Sequence, residues 1–269
     1  MLIIFHILNF WRNLMLDNPL PHSLIEGTVI DRIDWTEQLF SLKVKAKMHP
    51  FKAGQFTKLA LPTATGGWSR RAYSMVNAPN DEILEFLLVT VPEGGLSPRL
   101  DALQPGDLIY VGEEPTGFMT LEEIPETASD LWMLSTGTAI GPFLSLLADP
   151  STKKRFERLV LVHAVRHEAD LVYQDRIKAL QADLGPQFHY VPIVSGEAVP
   201  YALTGRIPAL LSAGTLAQFS SVELDLLKSF FLICGNPEMV RDTREVLQNM
   251  GYQKHLRRKH GQFSSENYW

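Results

Sequence analysis

Six stretches of the chain carry residue types that can bind a nucleotide or work beside one. In Arg70-Arg71-Ala72-Tyr73-Ser74 the alternation of a strand puts Arg71 and Tyr73 on one face, Ala72 and Ser74 on the other. A guanidinium grips a pyrophosphate through two hydrogen bonds, and a phenol ring lies well against a flat heterocycle. An Arg and a Tyr on a strand face are, by themselves, more often plain structure than a binding site. Gly94-Gly95-Leu96-Ser97-Pro98-Arg99 reads as a glycine loop opening a helix, with Ser97 as N-cap and Pro98 in the first helical position. Free amides at such a start suit a phosphate, and a loop that merely caps a helix is the alternative.

Ser135-Thr136-Gly137-Thr138-Ala139-Ile140-Gly141-Pro142 follows an apolar run and opens a helix, the place where α/β domains hold nucleotides. It has neither the G-x-G-x-x-G spacing nor a Gly-Lys-Ser/Thr ending, which argues against an ordinary Rossmann dehydrogenase and a P-loop ATPase. Arg166 stands just past Val162-His163-Ala164-Val165, where an NAD site carries an acidic residue for the ribose 2′-hydroxyl; an arginine suits a 2′-phosphate instead. Arg206, in Leu203-Thr204-Gly205-Arg206, is a second candidate for that phosphate. Cys234-Gly235-Asn236-Pro237-Glu238-Met239 ends the last apolar strand, so its thiol either touches substrate or is an inert buried group. The chain closes on Glu266-Asn267-Tyr268-Trp269, whose two large rings are expected to pack on the protein's own core or on a flat cofactor.

The elements that must position these residues fall into two regimes. Short runs rich in Val, Ile, Phe and Thr, at 25–33, 39–44, 55–61, 72–76, 84–91 and 108–111, predict six strands. Turn formers separate them, among them Gly66-Gly67 and Pro105-Gly106-Asp107. The expectation is a closed six-stranded antiparallel barrel with one short helix after Ser97. From 131 onward, apolar runs at 131–135, 159–164, 188–194 and 230–233 alternate with helical stretches at 143–147, 175–184 and 239–250, the pattern of a doubly wound parallel sheet. The predicted organisation is an extension at 1–22, a barrel at 23–118, a connector at 119–130 and an α/β domain at 131–269.

Composition narrows the partners. With 269 residues and 45% hydrophobic content the chain can bury two modest cores. A formal charge of -5 gives no general attraction to nucleic acid or to an anionic membrane. The single cysteine can form no internal disulfide and cannot supply an iron–sulfur cluster, and no metal site is predicted; a reducing cytoplasmic setting and a monomer are the expectations. The apolar opening at 1–16 is broken by His6, Asn9 and Arg12, so it predicts neither a membrane span nor a secretory signal but an appendage outside the fold, with Met15 as an alternative start.

In their order, these motifs resemble the ferredoxin/flavodoxin–NADP reductase family, and within it the bacterial branch that ends in Tyr-Trp. The resemblance spans about residues 24 to 269 and is carried most specifically by RAYSMVN at 71–77, GGLSPRL at 94–100, LSTGTAIGPFLSLL at 134–147, CGNPEMVRDT at 234–243 and the terminal ENYW. It implies an FAD-binding barrel followed by an NADP-binding α/β domain. By resemblance, Arg71 meets FAD phosphate, Tyr73 stacks on the isoalloxazine, Ala72 lines the site and Ser74 lies near N5. Leu87, Leu88 and Val89 border the flavin, while Gly95, Leu96 and Ser97 hold its pyrophosphate. Thr138 lies between FAD and nicotinamide, Tyr268 and Trp269 cover the FAD, and Cys234 and Glu266 flank hydride transfer. Arg166 and Arg206 match NADP-phosphate positions, with Val165, Ser195, Asn236 and Met239 completing the nucleotide site. One departure stands out: relatives show Ser-Arg after the third α/β strand, whereas this chain has Ser195-Gly196.

The activity implied is electron exchange between NADP(H) and a small carrier, ferredoxin or flavodoxin, by hydride transfer at flavin N5. Lys254, His255, Arg257, Arg258, Lys259 and His260 form a candidate docking patch for an acidic carrier. The rivals are the reductase component of an oxygenase, a free flavin reductase, a noncatalytic nucleotide-binding module and a form attached to membranes through 1–16.

Overall fold

The computed structural model describes residues 19–256 and 258–268. The 1–16 segment, Arg257 and Trp269, which figure in the expectations above, lie outside the described residues. The described residues divide into two compact units: one comprises 19–51 together with Gln55–Thr116, the other Lys52–Gly54 with 117–256 and 258–268.

In the first unit, β1 (Leu24–Asp34), β2 (Leu39–Ala46), β3 (Phe56–Pro62), β4 (Trp68–Ser74), β5 (Leu84–Val89) and β6 (Leu108–Gly112) form one antiparallel sheet in the order β4-β3-β6-β1-β2-β5. The sheet curls back on itself past the end of β4, where Met75 bridges Phe86 and the Val76 amide donates to the Glu85 carbonyl at 2.8 Å. Alternate residues such as Phe40, Leu42, Leu59, Phe86 and Leu88 fill the interior. A short helix, α1 (Ser97–Asp101), is tied to β1 by Arg32, which reaches Asp101 Oδ1 at 2.7 Å. The Arg70–Ser74 motif occupies the second half of β4 rather than its start. The Thr63 amide donates to Gly67 O at 2.9 Å, closing a tight turn that begins pairing at Pro62 and Trp68. The polar Ser69-Arg70-Arg71 run hides those first strand positions from a propensity reading.

The second unit is a parallel sheet of β7 (Asp130–Thr136), β8 (Arg158–Val165), β9 (Phe188–Val194), β10 (Leu203–Thr204), β11 (Ser229–Gly235) and β12 (Phe263–Asn267), ordered β10-β9-β8-β7-β11-β12. Its helices are α2 (Ile140–Ala148), α3 (Pro150–Arg155), α4 (Gln174–Leu184), α5 (Ile207–Ser212), α6 (Thr215–Ser220) and α7 (Pro237–Asn249). The four inner strands are those read from the sequence. The edge strands β10 and β12 and the helices α3, α5 and α6 add to that reading: β10 is two residues long, and β12 is polar apart from Phe263, so neither shows an apolar run. Trp132, Val160, Phe231 and Ile233 lie in the core, with Trp132 stacked on Phe231 at 5.9 Å between ring centres.

Asp130 and Arg158 are register partners at the start of β7 and β8. The wholly buried carboxylate accepts from Arg158 Nε at 2.7 Å and from Nη2 at 2.8 Å. Among the described residues, no helix is long and apolar enough to cross a membrane. Replacing Arg158 with Ala leaves Asp130 buried without its counter-ion. Because the guanidinium is about one-third exposed, the expected loss in a urea unfolding experiment is about 2 kcal/mol, below the figure for a fully buried pair; an unchanged midpoint would show that the pair does not hold these strand starts.

Candidate cofactor site

On the barrel unit, Arg71 is exposed on β4 and has no carboxylate partner among the described residues; its Nη1 donates to the Arg70 carbonyl at 2.9 Å. Tyr73, two residues on, is half-buried against the margin of the barrel core. Burial raises its phenol pKa, with the Arg71 charge opposing the shift, so the ring stays neutral. Ala72 is exposed between them and Ser74 is buried.

Strand β5 sorts the three residues expected to border a flavin. Leu88 points into the barrel interior with Phe86, so only its backbone is available to a cofactor, while Leu87 and Val89 belong to the opposite face. Beyond β5, Gly95 is exposed with open space where a side chain would be, and the amides of Gly95, Leu96 and Ser97 have no acceptor among the described residues. Ser97 is not the N-cap. Leu96 holds that position, and the Ser97 hydroxyl turns to the preceding loop, accepting from the Val91 amide at 3.0 Å. That contact folds the loop back and leaves the amides of the helix start uncapped.

On the sheet unit, parallel pairing brings the ends of β7, β8, β9, β10, β11 and β12 to one edge. Thr138, Val165, Arg166, Ser195, Arg206, Cys234, Asn236, Glu266 and Tyr268 all lie along it or just past it. The chain starts at β7 and winds outward through β8, β9 and β10, then returns to β7's other side with β11, so the reversal falls between β7 and β11. There Thr136 Oγ1 accepts the Asn236 amide at 2.8 Å. A Cβ on Gly235 would lie 2.0 Å from that oxygen, and Gly235 has φ +137, so only glycine fits.

Several nominated residues are held by the protein itself. Asn236 Oδ1 caps α7, accepting from Glu238 N at 2.9 Å and Met239 N at 3.2 Å. Met239 and Val165 pack in apolar clusters. Thr138 is buried in the short 3-10 turn Gly137–Ala139 that leads into α2. Cys234 pairs in register with Ser135 on one side and Glu266 on the other. Burial, aided by the Glu266 charge, pushes its thiol well above the ordinary range. Glu266 is itself raised by burial, with the Phe118 amide, donating at 3.1 Å, opposing the rise.

Arg166, Ser195 and Arg206 are exposed at the ends of β8, β9 and β10. The Gly196 amide donates to the Arg166 carbonyl at 2.8 Å, and a Cβ at 196 would fall 2.6 Å from that same oxygen. The two loops are therefore pinned together at the position where a longer residue was expected. The basic segment also differs from expectation in one member: His255 is edge-on to Phe230, and burial lowers its pKa, so it adds no charge. Lys254, Arg258, Lys259 and His260 are exposed around a tight turn in which Leu256 and Lys259 exchange backbone hydrogen bonds at 2.9 Å.

Two residues, Thr136 and His163, stand inside stretches named from the sequence but have no role assigned there. The second had a signal, a lone polar residue inside an apolar β8.

Comparison with known proteins fits this construction. A family model described as an oxidoreductase NAD-binding domain matches residues 133–245. The flavodoxin/ferredoxin–NADP reductase of Escherichia coli strain K12 is 48% identical over 82% of this chain and 88% of its own, and that of Buchnera aphidicola subsp. Baizongia pistaciae is 42% identical over 92% and 100%. The crystal structure of a ferredoxin NADP+ reductase from Neisseria gonorrhoeae with bound FAD and NADP superposes with a TM-score of 0.87 at 35% identity, covering 93% of this chain and 100% of that one. With two such units and this level of identity over most of its length, the chain belongs to the flavodoxin/ferredoxin–NADP reductase family of oxidoreductases.

Proposed function

We propose that the barrel unit holds FAD, that the strand-end edge of the sheet unit takes NADP(H), and that the enzyme exchanges electrons with ferredoxin or flavodoxin. The observation that carries this reading is the donor set: among the described residues, Arg71 without a carboxylate, three successive amides at Gly95–Ser97 without acceptors, and Arg166 and Arg206 exposed at neighbouring strand ends. Bound FAD supplies the conversion between two-electron hydride exchange with NADP(H) and one-electron exchange with a protein carrier.

Arg71 and the Gly95–Ser97 amides would neutralise and orient a pyrophosphate. Tyr73, neutral and partly sunk, offers its ring face to a flat heterocycle, bordered by Ala72, Leu87, Val89 and the Leu88 backbone, with the Ser74 hydroxyl assigned near N5. Thr138, Cys234 and Glu266 stand at or beside the strand reversal and are assigned to the nicotinamide. Asn236 and Met239 act there as supports, the one starting α7 and the other packing beneath it. Arg166 and Arg206, with Ser195 and Val165, hold the 2′-phosphate end, where Gly196 offers backbone only. Tyr268 supplies a further ring. A monomer in a reducing cytoplasm is in keeping with the lone, buried Cys234, and the exposed Lys254, Arg258, Lys259 and His260 suit docking of an acidic carrier.

Anaerobic titration of the FAD-loaded protein should bleach the flavin at much lower NADPH than NADH. The pair Arg166→Ala with Arg206→Ala should weaken NADPH at least about tenfold and leave NADH nearly unchanged. Equal potency of NADPH and NADH in the parent protein would overturn the NADP assignment. Arg258→Glu with Lys259→Glu is expected to slow reduction of the carrier while sparing NADPH-driven dye reduction, and parallel loss of both activities would reject the docking surface. With its pKa raised, Cys234 should resist iodoacetamide in the native enzyme at neutral pH and react only after unfolding; rapid native alkylation would show an accessible thiolate.

A further inference from the structure

His163 lies toward the carboxyl end of β8, in register with Ser135 of β7 and Pro192 of β9, and none of its surface reaches solvent. Its Nε2 is 3.1 Å from the Gly137 carbonyl oxygen. A carbonyl only accepts, so Nε2 carries the hydrogen. Burial drives the imidazole pKa down to about 4, so the ring is neutral at physiological pH and Nδ1 is a bare lone pair. That Nδ1 is buried without a hydrogen-bond partner among the described residues. An apolar side chain would avoid an orphaned acceptor of this kind, so a task for the N–H on the opposite side of the ring explains why it is tolerated.

The acceptor identifies the task. Gly137 opens the 3-10 turn that carries Thr138 and passes into α2, and its carbonyl also accepts the Ile140 amide. Gly137 has φ +54 and open space where a Cβ would lie, so no side chain of its own steadies the peptide plane. The next residues upstream are already tied: Ser135 Oγ donates to the Val162 carbonyl at 2.8 Å, and Thr136 Oγ1 holds the Asn236 amide.

We propose that His163 is a positioning residue for electron transfer: by donating Nε2–H to the Gly137 carbonyl from inside the sheet, it fixes the turn that presents Thr138 to the nicotinamide. The inference rests on the reading of this turn as part of the nucleotide site. His163 touches neither substrate nor cofactor. It sets the angle of the peptide from which Thr138 departs, while Arg166 and Arg206 hold the far end of the nucleotide independently of it.

The test uses the full chain loaded with FAD, with His163→Leu and His163→Gln, the latter restoring an N–H at the same reach. At saturating NADPH, His163→Leu should bleach the flavin about 10- to 100-fold more slowly than the parent, the scale expected for small misplacement of a reacting group. NADPH affinity should change by less than about threefold, because the phosphate contacts are untouched, and His163→Gln should recover most of the rate. Bleaching by His163→Leu at the parental rate overturns the proposal, as does equal slowing by both variants, which would mean packing alone. A nitrogen-15 NMR spectrum of the parent protein, with the His163 signals identified by their loss in His163→Gln, gives an answer that does not depend on turnover or on His163→Leu folding: the Nε2–H tautomer supports the proposal and Nδ1–H overturns it. If NADPH fails to bleach the parent, the nucleotide reading fails, and the tautomer still decides whether His163 holds Gly137.

Discussion

The strand reversal of the sheet unit depends on a close approach of β7 to β11 at their carboxyl ends. Thr136 Oγ1 fills the space in which any side chain on residue 235 would have to sit, and the same oxygen receives the Asn236 amide. Two chain segments 100 residues apart are thereby locked at the point where the strand order reverses. From this point the 3-10 turn leads into α2 and Asn236 starts α7, so both helix starts inherit their positions from one threonine oxygen and one missing Cβ. The edge that gathers the nominated nucleotide residues is built outward from it.

Much of this was readable beforehand because the signals are local. Six β-forming runs punctuated by Gly66-Gly67 and Pro105-Gly106-Asp107 specified the barrel, and apolar runs at helix-length spacing specified the inner parallel strands. The motifs could be named because glycine, proline and arginine at fixed offsets have few conformational uses. What stayed hidden depends on partners distant in sequence. Ser97 looks like a cap, yet its hydroxyl is drawn to Val91. His255 looks basic within a run of cations, yet it lies against Phe230. Leu88 appears equivalent to Leu87 until the barrel closes and turns one of them inward. His163 and Gly137 are separated by 26 residues, so no local pattern could pair them.

The two units differ in the polar groups that they present. The barrel exposes Arg71, which has no carboxylate partner among the described residues, and uncapped amides at Gly95–Ser97. The sheet instead shifts buried groups toward their neutral forms: a thiol whose ionisation burial suppresses, a carboxyl shifted upward, and a neutral imidazole. Its arginines stand at the outer strand ends.

The sheet's margins carry a separate consequence. A barrel has no free strand edge, but an open sheet has two, and unpaired edges invite growth into aggregates. Here one margin is β10, only two residues long. The other is β12, with a polar Ser264-Ser265-Glu266-Asn267 stretch, and its first residue is already occupied on the outer side: Lys254 bridges Phe263, and the His255 amide donates to the Phe263 carbonyl at 2.8 Å. Neither margin offers another chain a long, flat, apolar template. The sheet is thus guarded against joining copy to copy through its margins while its strand ends remain exposed.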